Sequence, residues 1–211
     1  MHNLQKGPWS TRIIDCDNNI IQILPLENPQ GVRREYTPLK DIPQEIIDSF
    51  IQNEDQRFFT HKGIDILAIF RALKQNISEG KRISGASTIT MQLARIVSPA
   101  PKRNLFYKII ESYNALRIET LLTKNEILEL YLNTLPFGFL AEGITSASRV
   151  FFGKPQINPL KHLSQEQIQT LAKIPRRPKA FSELVKKTNY TYPYFMPHYV
   201  NFLCKEIKKQ K

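Results

Sequence analysis

The feature that most constrains this chain is a series of helical patterns between Pro43 and Pro175, in which apolar residues recur about every three or four positions. Prolines and short polar segments separate successive patterns. Over the same region, no segment alternates apolar and polar residues in the way that is typical of a strand. Hydrophobic residues make up 41% of the chain, enough to form a core. The sequence therefore predicts a mainly α-helical fold.

Several residues indicate where these helices begin and end. Asp65 and Ser87 precede apolar patterns and are expected to cap the N-termini of two helices. Segments 123–126 and 164–167 are predicted capping boxes, each of which begins another helix. Pro99 must end the helix that follows Ser87. The residues expected on one apolar face of the helix after Asp65 are Ile66, Ile69, Phe70, Leu73 and Ile77.

The N-terminal segment has a different pattern. Residues 11–24 contain two β-branched runs on either side of Asp17-Asn18-Asn19, residue types that favour a tight turn. This pattern predicts a small β-hairpin. We therefore divide the chain into a hairpin with its linker at 1–35, a helical domain at 36–180 and a C-terminal linker at 181–211.

The chain is basic, with 30 Lys and Arg residues against 19 Asp and Glu residues and a formal net charge of +11. Such a field attracts nucleic acid, anionic lipid head groups or a phosphorylated substrate. A basic helical nucleic-acid-binding module is therefore one hypothesis, although the sequence contains no zinc-finger or RNP pattern. Because charge alone does not choose among these partners, the choice depends on local motifs.

Cysteine usage and hydropathy exclude some classes of protein. The two cysteines, Cys16 and Cys204, lie near opposite ends of the chain and form neither a metal-binding spacing nor a disulfide framework. Two free thiols are favoured over one long-range disulfide. The sequence contains no run of about 18 apolar residues and no apolar stretch of about 7 to 15 residues behind a basic start. We therefore expect neither a membrane anchor nor a signal peptide in this chain.

The first candidate catalytic segment runs from Glu54 to Asp65, at the predicted break between two helices. Glu54 and Asp55 are adjacent carboxylates close to aromatic side chains, and one of them is suited to proton transfer near neutral pH. The segment also contains a guanidinium at Arg57 and an imidazole at His61. Loops between rigid elements commonly hold catalytic groups. The alternative is a helix C-terminus with solvated charges.

The second candidate segment runs from Ser84 to Arg95 and places small residues and hydroxyl groups directly before a helix. A helix N-terminus presents unpaired N–H groups and a partial positive charge, which favour phosphate oxygens. The segment is not a P-loop, because the Gly-Lys-Ser or Gly-Lys-Thr sequence is absent. An ordinary helix cap explains the segment equally well.

The third candidate segment belongs to a long helix predicted from about Arg103 to Leu122. Lys108 and Glu111 are neighbours on such a helix, and Arg103 lies close to its start. One interpretation is a cationic site for a diphosphate, with a carboxylate at its edge. The other is a local ion pair, which stabilises a helix by about 0.2 to 0.5 kcal/mol.

Taken in order, these segments resemble the motifs of glycosyltransferase family 51, the transglycosylase domain of class A penicillin-binding proteins and their monofunctional relatives. Segments 124–133 and 147–154 are similar to the two motifs that complete the family's series. Five matches in order over about 120 residues are far more specific than any single one. The matching residues of the first motif are Glu54, Asp55, Phe58, His61, Gly63 and Asp65.

The resemblance implies a lysozyme-like α-helical fold for residues 36–180 and a processive, inverting enzyme that polymerises lipid II and releases undecaprenyl diphosphate. In that family, the residue matching Glu54 is the general base that deprotonates the acceptor 4-hydroxyl. The residue matching Glu111 is a second catalytic carboxylate near the diphosphate. It could help to hold a divalent cation, Mg²⁺ or Mn²⁺, or stabilise positive charge at the anomeric centre.

The resemblance also implies partners and a set of substrate-binding residues. The partners are lipid II, the growing glycan strand, the bacterial membrane surface and other cell-wall synthesis proteins, with no nucleic acid. The expected location is the periplasmic face of the inner membrane. The matching substrate-binding residues are Asp55, Arg57, Phe58, His61, Ser87, Thr88, Gln92, Arg95, Arg103 and Lys108.

Several departures from the family pattern point to one of its branches. Ala86 stands where a second glycine is usual, Met91 replaces a glutamine, and Arg95 replaces a lysine. Tyr107 takes the place of an arginine, which removes one cation from the predicted diphosphate site. Together with segment 135–138, these residues resemble the 1C branch of class A penicillin-binding proteins.

Other hypotheses stay open beside this one. In the branch that this chain resembles, a transpeptidase domain follows. We expect 181–211 to be a linker toward such a domain and the domain itself to be missing. The chain could therefore be a truncated, inactive remnant of a bifunctional penicillin-binding protein. A lysozyme-type hydrolase is a further alternative, which the basic residues of the predicted diphosphate site disfavour.

Overall fold

The computed structural model describes residues 8–17, 20–27, 31–79, 86–99, 104–153 and 157–176. The helices in these ranges are α1 (Gln44–Glu54), α2 (Ile66–Ser78), α3 (Ile89–Val97), α4 (Leu105–Leu121), α5 (Lys124–Thr134), α6 (Ile144–Phe152) and α7 (Gln165–Lys173). The strands are β1 (Arg12–Ile14), β2 (Ile20–Ile23), β3 (Arg33–Arg34), β4 (Pro136–Gly138) and β5 (Ala141–Glu142). The predicted mainly α-helical fold with a small N-terminal hairpin is confirmed.

The chain divides into two compact units. The first comprises the described residues of Met1–Ser49 and Leu132–Lys211, and the second comprises those of Phe50–Tyr131. Every candidate site residue belongs by its number to the second unit. The domain boundaries predicted at 35 and 180 are not tested by this division and stay predictions.

The first unit contains two small sheets. β1 and β2 pair antiparallel as the predicted hairpin, and β3, β5 and β4 form a three-stranded sheet in that order. The expectation of no strand between Pro43 and Pro175 was wrong, because β4 and β5 lie there. Phe139 and Leu140 turn the chain between these two strands with positive φ. Strands of two or three residues are too short to show an alternating pattern in the sequence.

A buried ion cluster lies in the first unit between the segment before α1 and α6. The Glu35 side chain is fully buried, and its carboxylate accepts a hydrogen bond from Arg149 Nε at 2.8 Å. Arg12 Nε lies 3.4 Å from the same carboxylate. A buried charge requires such partners because removing it from water is costly. The sequence did not predict α6, since buried serines and a threonine interrupt its apolar period.

Asn133, in the fourth motif, has a structural role in the first unit. Its side chain accepts a hydrogen bond from the Thr37 N–H at 2.8 Å and donates one to the Thr37 carbonyl at 2.9 Å. Gly143, with φ of 79°, lies against the backbone of Asn133, and a Cβ there would be 2.5 Å from the Asn133 carbonyl oxygen. Only glycine fits this approach.

The second unit has its core between α3 and α4. Met91 and Ala94 of α3 pack against Ala115 of α4, and all three are buried. Met91, one of the departures from the family pattern, is therefore a core residue. The Thr90 hydroxyl adds a polar link by donating to Glu119 Oε1 at 2.6 Å.

The predicted helix starts are mostly confirmed. Asp65 caps α2 by accepting a backbone N–H at 2.7 Å, and both predicted capping boxes form. The cap assigned to Ser87 was wrong, since Thr88 caps α3 by accepting a backbone N–H at 3.1 Å. The long helix begins two residues later than Arg103, behind Asn104 as its cap. Because Thr88 and not Ser87 is the cap of α3, the Ser87 hydroxyl can contact another helix.

Five large apolar side chains of α2 are exposed to solvent, whereas the small side chain of Ala72 is buried. Leu73, which was predicted on the same face, has a side chain that lies outside the described part of the structure. Ile66, Phe70 and Ile77 are 62%, 64% and 71% exposed. We define the apolar face of α2 by Ile66, Leu67, Ile69, Phe70 and Ile77. No helix in the described part of the chain is both long enough and apolar enough to cross a membrane.

Candidate active site

Glu54 is the last residue of α1, and its carboxylate is held by a side chain of α3. Gln92 Nε2 donates to Glu54 Oε2 at 2.8 Å. Gln92 Oε1 in turn accepts a hydrogen bond from the Tyr131 hydroxyl of α5 at 3.2 Å. The structure therefore brings the predicted residues Glu54 and Gln92 together, and it adds Tyr131, which the sequence did not indicate.

Asp55 and His61 hold the loop after α1 against the start of α3. Asp55 Oδ2 lies 2.9 Å from His61 Nε2 and accepts the backbone N–H of Ile89 at 3.0 Å. The Thr88 hydroxyl donates to the Gly63 carbonyl at 2.6 Å. Asp55, His61 and Thr88 thus have partners within the protein, and their predicted contacts with substrate stay predictions.

Phe58 is a core residue of the second unit. Its side chain is fully buried, and Lys124 Nζ lies 4.4 Å from the centre of its ring. Lys124 also binds Glu119 Oε1 at 2.7 Å. This packing accounts for the aromatic residue of the first motif, and its predicted contact with substrate is not tested.

Arg57 is paired with Asp65. Its Nε donates to Asp65 Oδ2 at 2.8 Å, and a second guanidinium nitrogen contacts Asp65 Oδ1. The hydrogen bonds from Arg57, which outweigh the effect of burial, lower the pKa of Asp65 to about 2. The same pairing raises the pKa of Arg57 above its usual value. Because Asp65 also caps α2, Arg57 helps to fix the start of that helix.

We expect Asp65→Asn to lower the free energy of unfolding in a pH-dependent way. A carboxyl whose pKa is near 2 when folded and 3.8 when unfolded adds roughly 2 kcal/mol above pH 4, and this is lost as the pH falls from about 4 to 2. Asparagine preserves the cap, so the variant should lose only the contribution of the charge. Urea unfolding at pH 7, 4 and 2.5 measures the difference.

The matched control for this prediction is Asp48→Asn, which changes an exposed carboxyl on α1. It should differ from the wild type by less than about 0.5 kcal/mol at each pH. If the difference in the free energy of unfolding between the wild type and Asp65→Asn stays constant from pH 7 to 2.5, the role of the ion pair is contradicted.

Lys108 joins the second and third motifs. Its Nζ lies 2.5 Å from Ser87 Oγ, before α3, and 2.9 Å from Glu111 Oε2, one turn along α4. Glu111 is largely buried, whereas the Lys108 side chain is 36% exposed. The predicted local ion pair is therefore present, and the contact with Ser87 additionally links α4 to the segment before α3. A cation that is oriented by neighbours and still reaches solvent is suited to bind an anion.

Two further cationic residues, Arg95 and Arg103, were predicted to bind substrate. Arg95 is half-buried in the last turn of α3. Arg103 lies outside the described residues, as do Ser84, Gly85 and Lys154. Their predicted roles stay predictions.

The assignment of Glu111 as a ligand for a divalent cation also stays a prediction. In the ranges that the structure describes, no three His, Cys, Asp or Glu residues gather as a metal site would require. Glu111 Oε2 faces the Lys108 ammonium at 2.9 Å, a neighbour that disfavours a second cation. These residues therefore do not fit a metal site built from the protein alone.

Tyr131 is the residue of this site that the sequence analysis missed. It stands in the fourth motif and fits the apolar period of α5, so it was counted only as a helix residue. The feature of the sequence that could have indicated its role was the hydroxyl group. A phenol that is fully buried, as Tyr131 is, needs a hydrogen-bond partner.

Comparison of the sequence with known families supports the reading of these motifs. Residues 18–193 match the family described as Transglycosylase. The match includes every segment that resembles a motif of glycosyltransferase family 51.

Comparison with individual proteins gives relatives of the same kind. The chain is 43% identical over 152 residues to penicillin-binding protein 1A of Escherichia coli, a match that covers 72% of this chain and 17% of the relative. It is 37% identical over 187 residues to penicillin-binding protein 1A of Rickettsia prowazekii, a match that covers 87% of this chain and 22% of the relative. It is 37% identical over 158 residues to penicillin-binding protein 4 of Bacillus subtilis, a match that covers 75% of this chain and 24% of the relative. The chain thus spans about a fifth of the length of these relatives, and its resemblance to the 1C branch stays a prediction.

Proposed function

The chain belongs to the transglycosylase family, and on that premise we propose that it is a peptidoglycan glycosyltransferase. In this proposal it polymerises lipid II into β-1,4-linked glycan strands with release of undecaprenyl diphosphate. The observation that supports the proposal most is the contact between Gln92 and Glu54. An ionised carboxylate only accepts hydrogen bonds, so an amide N–H that donates to Glu54 favours the ionised form that a base requires.

The proposed reaction is a single displacement at C1 of the donor sugar. Glu54 takes the proton of the acceptor 4-hydroxyl while that oxygen forms a bond to C1. The bond between C1 and the diphosphate oxygen breaks, its electron pair leaves with undecaprenyl diphosphate, and the configuration at C1 inverts. Holding a carboxylate at a fixed position next to the acceptor hydroxyl accelerates such a transfer.

Negative charge develops on the diphosphate as it leaves, and Lys108 supplies the opposite charge in this proposal. Glu111 of α4 and Ser87 in the segment before α3 fix the Lys108 ammonium, so the cation needs little reorganisation when the charge appears. Glu111 acts on the leaving-group side by orienting Lys108. Arg103 and Arg95 are proposed as further cations there by family resemblance.

The direct test is polymerisation by the purified chain. Lipid II with detergent and a divalent cation should give glycan polymer and undecaprenyl diphosphate. Digestion of preformed glycan in place of synthesis would favour the lysozyme-type alternative. If this chain makes no polymer while a version fused to a membrane anchor does, the activity stands but depends on the anchor. The expectation of no nucleic-acid binding is tested by a gel shift at physiological salt.

We further propose that the chain works at the periplasmic face of the bacterial inner membrane, with the apolar face of α2 toward the lipid. Two observations favour this partner. Large apolar side chains of one helix are exposed together, and the net charge of +11 attracts anionic head groups. A lipid-linked substrate would be met at the same surface.

The double variant Ile66→Ser/Phe70→Ser should bind vesicles of phosphatidylethanolamine and phosphatidylglycerol more weakly than the wild type. Burial of each side chain contributes about 1.5 to 3 kcal/mol, so we expect binding to fall at least about tenfold. Vesicle flotation measures the bound fraction.

Ile21→Ser is the control for this prediction, because Ile21 is 66% exposed but lies on β2 of the first unit. It should float as the wild type does. Equal flotation of the double variant and the wild type would exclude the apolar face of α2 as the lipid contact.

A further inference from the structure

Two hydrogen bonds connect Tyr131 to the base through Gln92. The Tyr131 hydroxyl lies 3.2 Å from Gln92 Oε1, and Gln92 Nε2 lies 2.8 Å from Glu54 Oε2. Tyr131 is fully buried, and Gln92 is 7% exposed. The three side chains come from α5, α3 and α1.

The chemistry of the groups fixes the direction of both hydrogen bonds. An ionised carboxylate has no proton to donate, so the NH₂ end of the Gln92 amide must face Glu54. The amide oxygen then faces Tyr131, whose phenol must act as the donor. If the amide turned over, its oxygen would face the carboxylate and its NH₂ would face the phenol, which would break the stronger, charge-assisted bond.

We infer that Tyr131 is a positioning residue. It holds the Gln92 amide in the orientation that fixes the position of the Glu54 carboxylate for the proposed reaction. The inference rests on the proposed role of Glu54 as the base. Because Tyr131 has no exposed surface, we expect it to act through Gln92 and not by touching the substrate. Its hydroxyl should therefore affect turnover and leave the affinity for lipid II unchanged.

The test is Tyr131→Phe, which removes only the hydroxyl. Loss of one neutral hydrogen bond should lower kcat for lipid II polymerisation about 3- to 10-fold, with KM unchanged. In a Gln92→Ala background, the same substitution should change kcat by less than about 1.5-fold, because its effect passes through Gln92. An equal loss of kcat in both backgrounds would overturn the inference, as would unchanged kcat in the single variant.

Two controls distinguish a positioning role of Tyr131 from a general loss of folding or activity. Tyr113→Phe removes a hydroxyl from the 60%-exposed Tyr113 of α4 and should keep the wild-type kcat. Thermal unfolding of Tyr131→Phe should show a folded protein at the assay temperature. A rise in KM in place of the fall in kcat would assign Tyr131 to substrate binding and overturn the inference.

A measurement without substrate keeps this test independent of the proposed activity. The side-chain amide signal of Gln92, assigned by its loss in Gln92→Ala, should shift in the ¹⁵N–¹H spectrum of Tyr131→Phe and also of Glu54→Gln. An amide signal that does not respond to Tyr131→Phe would overturn the positioning role. If neither the wild type nor a version fused to a membrane anchor makes polymer but the signal shifts as expected, the proposed function fails and the contact between Tyr131 and Gln92 stands.

Discussion

Glu54→Gln is expected to lower the rate of lipid II polymerisation by about 10²- to 10⁴-fold, the usual contribution of a general base. Glutamine has nearly the size of glutamate, so the end of α1 should keep its shape. Its amide has no basic oxygen to take the proton of the acceptor 4-hydroxyl. The loss should therefore appear in kcat, while substrate binding falls much less.

A continuous assay of polymer formation with purified wild type and variant measures this effect. Glu45→Gln is the matched control, because it makes the same change at an exposed site on α1 and should leave the rate unchanged. Polymer formed equally fast by Glu54→Gln and the wild type would show that another group is the base.

Lys108→Met is expected to lower kcat/KM for lipid II by about 10²- to 10³-fold. This is the usual effect of removing one preorganised group that stabilises charge developing in the transition state. Methionine keeps much of the length of the side chain but not its charge, and Glu111 is then left without its partner at 2.9 Å. Both effects weaken the site proposed for the leaving diphosphate. Steady-state kinetics over a range of lipid II concentrations measures the change.

Two variants define the controls for Lys108. Lys108→Arg keeps the positive charge and should retain much more activity than Lys108→Met. Lys74→Met removes an exposed cation from α2 and should have no effect on kcat/KM. If Lys108→Met and Lys74→Met have the same activity, Lys108 has no role in diphosphate departure.

Local patterns in the sequence predicted most of the helices. Asp65 and the two capping boxes were identified correctly because a cap and its helix are separated by only a few residues. The same reasoning failed for α6, where buried polar residues hide the period, and for β4 and β5, which are too short to have one. The apolar period of α2 was real, but periodicity does not reveal whether a face meets a core or remains exposed.

The sequence by itself determined the family, the order of the motifs and the identity of Glu54 as the candidate base. Only the tertiary structure decided which motif residues meet. Ser87 meets Lys108 across 21 positions, Asp55 meets the start of α3 across 34, and Tyr131 meets Gln92 across 39. The physical reason is that periodicity and capping depend on residues within about one helical turn, whereas these contacts depend on how separate helices pack and on which rotamers their side chains adopt.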